Sequence, residues 1–64
     1  MQNMNVNVLK ANAILSLVIN STGVCKNLLL DDEGFCSLIH KAAHSDKEIT
    51  ESADDLINYV EANY

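Results

Sequence analysis

The sequence predicts an all-α fold. Three observations lead there: apolar residues recur at alternating steps of three and four over most of the chain, proline is absent, and glycine occurs only twice. A length of 64 residues allows one domain, spanning 1–64. Its only aromatics are Phe35, Tyr59 and Tyr64, so the core falls to aliphatic side chains. A chain this short buries only ~60% of the surface it exposes when unfolded. Small domains therefore commonly lean on a disulfide, a metal or a second copy of themselves.

The first half reads as one long helix, over about 4–30. Met4, Val8, Ala11, Leu15, Val18, Thr22, Cys25 and Leu29 share one helical face, and all but Thr22 are apolar. Asn5, Asn12 and Ser16 lie opposite. Leu9, Ala13 and Leu17, with Ile14 and Ile19, widen the apolar face until most of the circumference is greasy, as in a helix covered on most sides. Gly23 follows Asn20-Ser21-Thr22, a turn signal, yet the stripe continues in phase beyond it. A mid-helix glycine costs only ~1 kcal/mol relative to alanine, so the helix is expected to run through. Period-two alternation over residues 3–8 leaves a short N-terminal strand as an alternative.

Asp31-Asp32-Glu33-Gly34 is the clearest turn in the chain, at 31–34. Its acids precede the next helix, where the macrodipole favours negative charge. A calcium loop is excluded, because an EF-hand needs glutamate at its twelfth position and counting from Asp31 places Ala42 there. The second half then predicts a helix over about 35–62. Ile39, Ala42, Asp46, Ile49, Ala53, Leu56 and Val60 keep the three-four spacing with Asp46 as the defect, and Leu38 and Ile57 flank them. Ser45 with Glu48 matches a capping box, so a new helix starting at Ser45 is an alternative.

Two architectures follow. In the favoured one, two helices of ~40 Å each form an antiparallel hairpin, which dimerises into a four-helix bundle because a lone hairpin encloses no core. The oligomer interface would use Val8, Leu15, Val18 and Leu29. In the alternative, breaks near Gly23 and Ser45 leave a compact monomer of three or four shorter helices.

The net charge of −5 is divided unevenly. Residues 1–30 carry Lys10 and Lys26 and no acid; residues 31–64 carry all nine acids against Lys41 and Lys47. Glu48, Glu51 and Asp55 form an acidic face suited to a basic partner, against the plainer reading of a solvated surface. Four lysines and no arginine argue against phosphate binding, although a dimer could gather its lysines as an RNA-binding helical bundle. The apolar run at 13–19 is too short to span a bilayer. The residues before it carry no basic side chain until Lys10, against a secretory signal. Cys25 and Cys36 lie among aliphatic residues, where free thiols act as small hydrophobes, and a cytoplasmic location is expected.

Cys36, His40 and His44 line one side of a helix, and the two histidines stand one turn apart. They are the candidates for a Cys/His metal-binding module such as a zinc site. Cys36 and His44 are ~12 Å apart along a straight helix, so all three cannot ligate one ion, and no cofactor is expected. Catalysis has no support: no glycine-rich loop, no HExxH, and little volume for a substrate cavity. The expectation is a small acidic helical interaction protein, not an enzyme. It would regulate or inhibit a partner macromolecule and is compatible with a phage or mobile-element accessory factor.

Overall fold

The helix ends decide the architecture. The computed structural model describes residues 6–64. They form α1 (Val6–Thr22), α2 (Lys26–Leu30), α3 (Glu33–Ala43) and α4 (Ile49–Asn63), with no strand among the described residues. The all-α class is as expected. The fold follows the compact four-helix alternative and corrects the two-helix hairpin. Of the expected N-terminal strand, Val6 to Val8 lie in α1, and residues 3–5 lie outside the described residues, as does Met4.

The expected helix over 4–30 stops at Thr22. Gly23 adopts φ 73°, a left-handed conformation that glycine enters without steric penalty. Its amide donates to the Ile19 carbonyl at 2.8 Å, the single bond of an αL cap. Thr22 closes the same turn. Its hydroxyl donates to the Val18 carbonyl at 2.8 Å and accepts from the Val24 amide at 3.3 Å. The chain then re-enters a helix at Lys26, and Leu29 is fully buried while Leu28 and Leu30 face out.

α3 begins at Glu33, inside the stretch 31–34 expected as a turn and ahead of the helix start expected at about 35. Asp32 is its N-cap, with a carboxylate oxygen accepting from the Phe35 amide at 3.0 Å, and Glu33 occupies the first turn. The capping box at Ser45 does not form. The Ser45 hydroxyl instead donates to the Ala42 carbonyl at 2.8 Å, closing the end of α3. Helix α4 starts later, at Ile49, with Glu48 as an extended N-cap that makes no side-chain cap bond. Asp46, the defect in the apolar stripe, sits exposed in this connection. Lys10 of α1 holds it by donating to the Ser45 carbonyl at 2.7 Å.

The core is a single cluster. Ile14, Leu15 and Val18 from α1 meet Leu29 from α2, Phe35 from α3, and Ala53, Leu56 and Val60 from α4. The most extensive packing is between α1 and α4. Thus the inner part of the apolar face of the first half is covered within one chain, while Val8, Leu9 and Leu17 stay exposed.

Asp32 also ties α3 to the far end of α4. Tyr59 donates its hydroxyl to one carboxylate oxygen at 3.0 Å, and Tyr64 to the other at 2.7 Å. Tyr59 lies close over α3: a Cβ added to Gly34 would fall 2.5 Å from its hydroxyl. Its ring packs tilted against Phe35, centroids 6.4 Å apart. The Tyr64 hydrogen bond, then the Phe35 amide, hold the Asp32 carboxyl below its usual range. The same carboxylate pushes Tyr64 up to about 12, while burial, then Asp32, raises Tyr59.

Two outcomes are expected. Gly23→Ala should destabilise the protein by ~1–2 kcal/mol, the cost of a left-handed alanine, whereas a continuous helix would be stabilised by ~1 kcal/mol; urea unfolding decides the sign. Asp32 is depressed on folding, so its contribution is present above about pH 4 and fades as pH falls through the folded value. The tyrosines are raised, so theirs is present below about pH 10 and fades as pH rises towards about 12. Asp32→Asn keeps a good cap and removes the charge. Its urea midpoint should therefore vary less than wild type at both pH extremes.

Candidate functional site

The structure distributes the sequence-derived candidates over four places. The oligomer-interface set divides. Leu15, Val18 and Leu29 belong to the chain's own core, and only Val8, at 47% exposure, faces outward. A stripe shared with a second copy is thus replaced by a stripe shared among four helices, because the turn at Gly23 redirects Leu29 onto α1's partners.

Glu48, Glu51 and Asp55 are all exposed, as expected of an acidic face. Asp54 and Glu61 are exposed on the same helix and extend the face along α4. Asp55 is partly neutralised: Lys47 pairs with it at 2.5 Å, the only ion pair among the described residues. That hydrogen bond, then the charge of Asp55, raises the Lys47 pKa above its usual value. Both groups are more than half exposed, so the pair contributes little to stability.

Cys36, His40 and His44 do not converge. The Cys36 thiol points at the Leu30 carbonyl, 3.3 Å away. The His40 and His44 rings meet tilted at 50°, 4.4 Å between centroids, and Asn7 of α1 donates to His44 Nδ1 at 2.9 Å. Among the described residues no three His, Cys, Asp or Glu side chains stand together as metal ligands. Cys25 and Cys36 are both free thiols.

A cleft between α3 and α4 is the feature the sequence reading missed. It encloses about 260 Å³, with Leu38 and Ala42 of α3 facing Ser52 and Leu56 of α4. Ser52 is 1% exposed, and its hydroxyl is the one buried side-chain polar atom among the described residues with no hydrogen-bond partner. A signal existed. Ser52 lies three residues after Ile49 and four before Leu56, on the inward stripe of α4. A second, shallower hollow lies beside it, where Leu9 of α1 meets Glu48 and Ile49.

No helix among the described residues is long and apolar enough to cross a membrane. Neither a known family model, a curated protein nor a solved structure matches the chain. The functional reading therefore rests on these surfaces.

Ser52→Ala should raise stability by ~1 kcal/mol, because it removes an unsatisfied buried hydroxyl and improves helix propensity. Thermal and urea unfolding measure it; a loss of stability would mean the hydroxyl has a partner in solution.

Proposed function

We propose that this protein regulates another macromolecule by binding it, without catalysis: a second copy covers the outer ridge of α1, and the acidic face of α4 docks a protein with a basic surface. The division of the molecular surface carries this reading. Of eight large apolar side chains left exposed among the described residues, five (Val8, Leu9, Leu17, Leu28 and Leu30) belong to α1 and α2. Residues 1–30 contain no acid, so α1 and α2 themselves place no negative charge there, although Glu48 borders Leu9 at one end. Leu9, Ala13 and Leu17 stand one turn apart on a single ridge, with Leu9 50% and Leu17 37% exposed. Exposed apolar surface favours association, and each leucine fully covered is worth ~1.5–3 kcal/mol.

The opposite character of α4 suits a different partner. Glu51, Asp54 and Glu61 have no ion-pair partner among the described residues. An array of like charge steers encounter with a basic surface and discriminates against acidic ones. An RNA-binding role has less support, because Lys10 is bonded to the Ser45 carbonyl and Lys47 to Asp55, leaving Lys26 and Lys41 for phosphates. An exposed free thiol at Cys25 fits a reducing compartment, and the cytoplasm is the proposed location.

Sedimentation equilibrium tests the first contact. Wild type should dimerise, and the double variant L9D/L17D should be monomeric with unchanged helicity, since both leucines lie outside the core. A monomeric wild type, or a dimeric double variant, refutes the α1 ridge. For the second contact, Glu51→Lys with Asp54→Lys should abolish recovery of the partner from nuclease-treated host lysate at low salt. Undiminished recovery removes the acidic face from the account.

A further inference from the structure

We propose that the cleft between α3 and α4 binds a small amphipathic carboxylate, of the kind represented by a medium-chain fatty acid. The cleft has two unlike ends. Because the helices are joined by the short connection after Ala43, they run back along each other, and residues near that connection share one end. There lie Ser52, Lys41 and Lys47. Further along, Leu38 and Leu56 form apolar walls.

The polar end lacks partners that a carboxylate would supply. The Ser52 hydroxyl is buried and makes no hydrogen bond. Burial without a partner is costly; the hydroxyl is closed off from solvent in the cleft wall, so a ligand oxygen reaches it, and relieves that cost, only as the wall parts on binding. Lys41 has no ion-pair partner among the described residues. Asp55 also lines the cleft, but Lys47 engages its carboxylate, so it opposes an incoming anion only weakly. The lining carries two lysines against one acid, but Glu51 also acts on Lys47 from beside it, so Lys41 is the cation left to meet an anion. Distant acids are screened over ~8 Å at physiological salt, so the local balance governs the site.

The apolar end sets the rest of the ligand. A volume of about 260 Å³ is below the ~300–1,000 Å³ typical of drug-sized ligands. It suits an unbranched aliphatic tail, which can lie along the groove between Leu38 and Leu56. An ammonium ligand is disfavoured by the two lysines. A purely apolar ligand would leave both Ser52 and Lys41 unmatched.

Octanoate is the probe, with octan-1-ol as its neutral counterpart, followed by two-dimensional amide NMR. Octanoate should shift the resonances of Leu38, Ser52 and Leu56 saturably. Octan-1-ol should bind about tenfold more weakly, the lower range for a hydrogen bond to a charged group. Lys41→Gln, an exposed substitution that keeps the helix, should abolish that difference. Ser52→Ala should weaken octanoate about fivefold while the protein remains folded. The proposal is overturned if no shift saturates, if shifts centre on the exposed Leu28 and Leu30, or if octan-1-ol binds wild type as tightly as octanoate.

Discussion

The fold depends on one backbone conformation, the left-handed turn at Gly23. Without it the apolar stripe of the first half would continue along one rod, and Leu29 would stand far along that rod from Leu15. With it the chain turns off after Thr22, and Leu29 joins Ile14, Leu15 and Val18 in one cluster with Phe35 and α4. A chain of 64 residues thereby closes its own core. The same turn decides what is left for partners, because the residues best suited to a shared interface have been used up inside.

The α3–α4 pair is held at both ends and open between them. At one end Asp32 caps α3 and receives the hydroxyls of Tyr59 and Tyr64 from α4. At the other, Lys10 grips the Ser45 carbonyl and Lys47 reaches Asp55. These contacts fix the two helices without filling the space that they flank. Ser52 lies in that space with its hydroxyl unpaired.

The class of fold was legible because three-four periodicity reports helix directly; the acids at 31–34 marked the break before α3 but were read as its turn, whereas Asp32 caps a helix that already begins at Glu33. The outward placement of Glu48, Glu51 and Asp55 followed from the same periodicity. The helix count was not legible from the stripe. Thr22, Cys25 and Leu29 stay in phase with α1, but Cys25 is exposed and Leu29 is buried from a different helix. The stop signal was present in Thr22-Gly23, where a hydroxyl and a glycine together satisfy the last turn; periodicity outweighed it. The pairing of Asp32 with Tyr59 and Tyr64 spans about half the chain, and no local pattern encodes it. Ser52 escaped notice because burial without a partner is a property of packing.

One chain encloses the core, and the association we propose would use a separate surface. The most direct test is helicity measured by circular dichroism through a dilution series, with the mass of the species followed by sedimentation. The monomer, once dissociated, should keep the full helical signal and unfold cooperatively. Loss of helicity in step with dissociation would contradict it and return the core to an interface between chains.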